Sequence, residues 1–228
     1  IHVDNERTGP YPFLNEGWDK YVYTSLQWKN RAYGFTSPEK GLGWFMMVPS
    51  PEFLSGGPTK AEFLAHGINP TVLCYWRSSH YRGASVILDK GEEWSKVVGP
   101  LFIYVNEGQT PDGMWNDAKR RLKEEEKAWP YDWIKNAPYI PGDQRANAKG
   151  QLILNDSLAP EQSGFTGEVY VGLTKTPYNI STKDGERTLN WHNDAKYYQY
   201  WTKSENREGY FIIQNVPAGN YYLSAFAD

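Results

Sequence analysis

Helical periodicity appears once in this chain, and that restricts its fold more than any other feature. From Asp112 to Trp129 the sequence DGMWNDAKRRLKEEEKAW puts Trp115, Ala118, Leu122 and Trp129 on one stripe. Charges cover the rest, the pattern of an amphipathic helix with a solvated charged face. Elsewhere the apolar runs are short, rich in β-branched and aromatic residues, and closed by Gly, Pro or Asn. Such runs are strands punctuated by turns. A chain of 228 residues has room for one large or two small domains, each with its own core. The expected class is therefore all-β for the most part: an antiparallel β-sandwich carrying one helix, followed by a smaller β-sandwich.

The strands are expected in the following places. Asp19 to Trp28 alternates, with Lys20, Val22 and Thr24 on one face and Tyr21 and Tyr23 on the other. Ala32 to Thr36 and Gly43 to Val48 follow, the second so apolar that burial on both faces is expected. Then come Thr71 to Arg77, Ala84 to Leu88 and Lys96 to Val105. Asn136 to Gly142, NAPYIPG, breaks all periodicity with two prolines and a glycine. It marks the expected boundary between domains 1–142 and 143–228. Beyond it, 150–154, 168–173, 197–202, 209–213 and 221–225 read as strands, with Asn215 to Gly219 as a turn.

Aromatics make up 16% of the chain, with ten Trp and seventeen Tyr. Such residues fill sandwich cores, and their apolar faces and polar edges also suit carbohydrate. A net charge of −3 with mixed signs speaks against a nucleic-acid surface. No stretch reaches the length of an apolar membrane span. Cys74 is the only cysteine, so no internal disulfide is expected. His2, His66, His80 and His192 share no ligand spacing, so no required metal or cofactor is expected. A structural or substrate-bridging calcium stays open, although no calcium loop is visible. Ser55 to Lys60, SGGPTK, lacks the spacing of a phosphate loop and reads as a tight turn carrying a lysine. The first residue is Ile1, and Asp228 follows directly on a strand-like run, so both ends read as cut.

The stretch with the most chemistry is Thr71 to Gly83, TVLCYWRSSHYRG. His80, Tyr81 and Arg82 stand at its end: a group that titrates near neutrality beside a phenol and a fixed cation. That set suits an anionic substrate, although a solvated turn carries the same residues.

Several segments in order carry a family likeness: SGGPTK, SSHYRG, GPLFIYVN, DAKRRLKEEEKAWPYDW and GYFIIQNVPAGNYYLSAF. Together they resemble rhamnogalacturonan lyases of polysaccharide lyase family 4, along nearly the whole chain. The resemblance implies the later part of a catalytic β-sandwich over 1–142 and a fibronectin type III-like module over 143–228. The earlier part of the catalytic domain and a third domain would lie outside this sequence. Loss of the earlier strands would leave unpaired edges and an exposed apolar face.

The resemblance also implies a catalytic lysine and histidine sixty positions apart, which fall on Lys20 and His80. Tyr75 matches a tyrosine near the family's substrate cleft; a second family tyrosine is replaced here by Leu73. The implied reaction is β-elimination at a galacturonate of rhamnogalacturonan I, an endolyase activity leaving an unsaturated end. A base must take the C5 proton and an acid must protonate the departing oxygen. Lysine serves as base only if its pKa falls from about 10.4, whereas histidine, near about 6.5, donates without tuning. Lys20 is assigned as base and His80 as acid, with the reverse left open. Arg82 and Lys60 are candidate neutralisers of the substrate carboxylate, and Tyr81 a substrate contact. The implied partner is a pectic polysaccharide met outside the cell, with no nucleic acid or membrane and a monomeric full-length protein. The alternatives are a non-catalytic carbohydrate-binding protein and an incomplete, inactive lyase fragment.

Overall fold

A computed structural model of the chain describes residues 24–26, 28–59, 61–63, 65–66, 71–72, 86–155, 157–158, 164–178, 182–183, 186–187 and 191–227. Every strand pairing among them is antiparallel, and one α-helix accompanies the sheets. The protein is a mostly β fold of the class expected.

The first sheet is built from β2 (Ala32–Ser37), β3 (Leu42–Met47) and β7 (Phe102–Glu107), with β3 in the centre. Its register sets Phe45 opposite Gly34 and Tyr104, and Met47 opposite Ala32 and Phe102. These residues face the helix α1 (Pro111–Ala128), whose Met114 and Ala118 complete the buried cluster, with Trp115 and Leu122 packed at its margin. The helix starts where a cap is available: Thr110 accepts a hydrogen bond from Gly113 N at 3.1 Å through its Oγ1, and Pro111 occupies the first turn. The buried stripe runs through Met114, Ala118 and Glu125. Trp129, expected on it, lies just past the helix end with extended backbone.

The other face of this sheet corrects the expectation that β3 is buried on both sides. Along β3, exposure alternates with the pleat. Leu42, Trp44, Ile103 and Val105 share the outer face, with Ile103 63% and Val105 56% exposed. One end of that face is covered: Tyr33 and Met46 pack with Val48, Phe53 and Leu54 from the loop that follows β3. The strand expected over 84–88 is irregular across its described residues 86–88, and the one expected from Lys96 begins only at Phe102. Lys96 is held by side-chain bonds to carbonyls, described below, and its segment joins no ladder.

Four short strands form two further antiparallel pairs. β1 (Thr24–Leu26) pairs with β4 (Ala61–Phe63), and β5 (Ala65–His66) with β6 (Thr71–Val72), which lies against β2. Between β3 and β4 the glycine turn serves packing. Gly57 has φ +47°, and a Cβ there would stand 2.4 Å from the Trp201 indole nitrogen. A larger residue would displace that ring, so the SGG segment fits the tight-turn reading.

After residue 142 come β8 (Arg145–Gln151), β9 (Val169–Thr174), β10 (Thr182–Lys183), β11 (Glu186–Arg187), β12 (Tyr200–Lys203), β13 (Tyr210–Pro217) and β14 (Tyr222–Ala227). β9 lies between β12 and β14, β8 pairs with β13, and β10 with β11. Val171, Tyr200, Phe211, Ile213 and Val216 form the core between the two larger sheets, while Tyr170, Trp191 and Trp201 form a second cluster. Asn215 to Pro217, expected as a turn, belongs to β13: the register shifts between Ile213 and Val216, and Asn215 takes φ 58°. That bulge lets the strand bend and continue. Among the described residues no sheet draws strands from both sides of residue 142.

Candidate functional site

Lys20, Lys60, Tyr75, His80, Tyr81 and Arg82 all lie outside the described residues. The structure therefore neither brings Lys20 and His80 together nor separates them. The described elements nearest to them in sequence are short strands: β1 begins four residues after Lys20, β4 begins at the residue after Lys60, and β6 immediately precedes the 73–85 stretch.

Among the described residues, the most elaborate polar constellation is at a cleft of about 420 Å³. The loop after β3, the end of α1, β12 and β13 form its walls. Glu52 lies at the base. Its carboxylate accepts two bonds from Arg145, 2.7 Å from Nη1 and 3.2 Å from Nη2, with both side chains almost fully buried. Nη1 also donates to Asn215 O at 3.0 Å and Nε to Ile140 O at 2.7 Å. The guanidinium stacks 4.7 Å from the Trp129 ring centre and 5.3 Å from that of Tyr139. Burial pushes the Glu52 carboxyl up, and the bonds and charge of Arg145 oppose that shift. At the mouth, Arg31 pairs with Glu126 at 2.8 Å and donates to Pro49 O at 3.0 Å.

Lys96 forms a second node. Its ammonium donates to Phe53 O at 3.0 Å, Ala195 O at 2.9 Å and Tyr197 O at 2.9 Å. Burial brings its pKa down to about 8, against the pull of the Asp194 and Glu52 charges. The neighbouring Val97 N donates to the Tyr198 hydroxyl at 2.8 Å. With three carbonyls to hold, this lysine acts as a tie between segments. Its environment does not resemble that of a general base facing a cleft.

Neither node was legible in the sequence. Glu52, Lys96 and Arg145 stand in unremarkable polar contexts, and the bonds from Lys96 to its three carbonyls and from Arg145 to Glu52 span 43 to 101 residues. The rings that frame Arg145, Trp129 and Tyr139, stand in a locally aromatic stretch, which is the one sequence signal that could have pointed there. Among the described residues no group of three or more His, Cys, Asp or Glu is arranged to hold a metal ion.

The described architecture fits one class. Residues 171–228 match the family model of polysaccharide lyase family 4, domain II, and the antiparallel sheets there are consistent with a fibronectin III-like fold. Relatives extend the match over almost the whole chain, and the resemblance read in the sequence is borne out. A rhamnogalacturonate lyase of Dickeya dadantii is 30% identical over 211 residues, covering 92% of this chain and 31% of that protein. Rhamnogalacturonate lyase B of Emericella nidulans is 24% identical over 228 residues, 96% of this chain and 31% of the relative. A probable rhamnogalacturonate lyase B of Aspergillus flavus is 23% identical, with 96% and 31% covered. The chain thus spans about a third of the length of the curated relatives it matches.

Proposed function

We propose that this chain is part of a rhamnogalacturonan lyase that cleaves the rhamnose–galacturonate backbone by β-elimination. The observation that carries the reading is the 30% identity to a rhamnogalacturonate lyase, sustained over 92% of the chain. Residues 1–142 supply part of the catalytic sandwich and 143–228 the fibronectin-like module. Support for that division comes from the sheets, each of which takes its described strands from one side of residue 142. A polymer of this size does not cross a membrane, so the enzyme meets it outside the cell.

In the proposed reaction Lys20 takes the C5 proton of the galacturonate and His80 protonates the departing oxygen. Arg82 or Lys60 offsets the substrate carboxylate, which makes C5 more acidic and stabilises the enolate-like intermediate. Tyr75 and Tyr81 position the sugar. No metal is required for this sequence of proton transfers. The lysine needs a lowered pKa, which burial or a neighbouring cation provides.

The test places Lys20→Ala and His80→Ala in the whole enzyme and follows the ultraviolet absorbance of the new C4–C5 double bond on rhamnogalacturonan. Loss of one acid or base is expected to slow turnover about a hundredfold to ten-thousandfold. Near-normal rates in both folded variants would remove the pair and turn attention to the arginines and tyrosines. Binding of the polymer with no absorbing product would instead identify a non-catalytic carbohydrate-binding protein.

A further inference from the structure

The charged face of α1 borders a groove that the proposed chemistry leaves unused. It holds about 520 Å³ between the helix and the chain entering β2. Trp115, half-buried, forms its apolar wall; its ring rests against Phe45 with centres 5.8 Å apart. Lys119 and Lys123 follow at intervals of four residues, so all three side chains stand on one face of the helix. The Lys119 ammonium lies 5.6 Å from the centre of the Trp115 ring.

The charge of the groove runs against that of the chain. The sequence carries a net −3, yet Lys29, Arg31, Lys119, Arg120 and Lys123 line this groove with Glu126 as the sole anion. Three of the cations already have carboxylates: Lys29 pairs with Glu168, Arg31 with Glu126 and Arg120 with Asp117. Lys119 and Lys123 have no carboxylate partner among the described residues. Two ammonium groups without a carboxylate among the described residues, that of Lys119 over an indole, meet the needs of an acidic sugar chain, whose C–H faces stack on aromatic rings and whose carboxylates seek cations.

We propose that this groove is a non-catalytic binding site for an acidic polysaccharide, a uronate-containing chain laid along α1. It rests on the lyase reading only in the choice of polymer, and its test involves no turnover. An acidic protein whose described basic groove is narrow and carries an aromatic wall favours a uronan over a nucleic acid, which calls for a broad positive surface.

The test is affinity electrophoresis of the full chain in gels containing polygalacturonate, with neutral galactan and single-stranded DNA as comparison polymers. Polygalacturonate should retard the chain and added salt should weaken the effect. Lys119→Gln with Lys123→Gln, both at exposed helix positions, should weaken binding about fivefold to tenfold. Lys127→Gln, on the same helix outside the groove, should leave it unchanged. An unaltered affinity in the double variant would overturn the site, as would an equal loss in Lys127→Gln. Retardation by galactan, or stronger retardation by DNA, would overturn its chemistry. Should the whole enzyme yield no unsaturated product while this pattern holds, the lyase reading fails and the site stands.

Discussion

Glu52 and Arg145 are separated by 93 residues and meet in a nearly water-free pair. Removing one partner from such a pair leaves the other charge buried and uncompensated, a loss of about 3–5 kcal/mol. Glu52→Gln, which keeps the shape and deletes the charge, should lower stability by that amount in urea unfolding. A change below about 1 kcal/mol would mean that the pair behaves as a solvated surface bridge. Asp117 makes a different kind of contact, tying β7 to α1. It accepts bonds from Asn106 Nδ2 at 2.9 Å and from the Tyr104 hydroxyl at 2.7 Å, and it pairs with Arg120. These bonds, that of Asn106 first, hold its pKa down at about 2 from the ordinary 3.8. Because the folded value lies below the unfolded one, the contribution is complete above about pH 4 and disappears as the pH falls towards 2. Glu168, held down at about 2 first by its bond from Lys203, adds a contribution of the same sign over the same range. Urea midpoints measured from pH 6 to pH 2 should therefore fall in the parent chain, and the fall should be smaller, though not absent, in Asp117→Asn.

At the scale of elements, the helix was the most legible part of the sequence, because its signals are local. Its observed span of Pro111–Ala128 differs by one residue at each end from the expected 112–129. The cap is equally local: Thr110→Ala removes the acceptor for Gly113 N and should cost about 1 kcal/mol, measured by thermal unfolding. Strand limits were less legible, since pairing sets them. RANAKGQ shows no useful alternation, and its pattern predicts no strand before Gly150. It is one because β13 lies beside it, from Tyr210 opposite Gln151 to Pro217 opposite Arg145. Composition misled for β3, where GWFMMV over 43–48 suggested burial on both sides while the pleat leaves Trp44, with Leu42 before it, on an open face. Hydrophobic content says that a face prefers to be covered; it does not say what covers it. Lys20 was legible only through family likeness, since no spacing or periodicity in the chain singles it out, whereas His80 stood out as a titratable group beside a phenol and a fixed cation.

At the scale of the whole molecule, the sheets formed by the described residues segregate at residue 142 but the polar network does not. Lys96 reaches Ala195 O and Tyr197 O, Lys29 pairs with Glu168 across 139 residues, and Gln199 N donates to Glu52 O. Apolar contacts join the same regions: Tyr198 packs against both the Phe53 and the Val171 clusters, and the Trp28 ring meets Tyr170 edge-on at 5.5 Å. A hinge at the proline-rich segment 136–142, as the sequence alone would allow, is therefore braced from both sides. If these contacts act together, the regions on either side of 142 should unfold as one unit, since separating them exposes buried charge and apolar surface at once. Differential scanning calorimetry of the parent chain should then show a single transition. Lys96→Met keeps much of the side-chain volume but removes all three donors, leaving three carbonyls to find other partners. Combined with Glu52→Gln it should split the transition in two, the lower one accompanied by protease cleavage within 136–142. Two well-separated transitions in the parent chain would show that the junction transmits no stability and that the two regions fold independently.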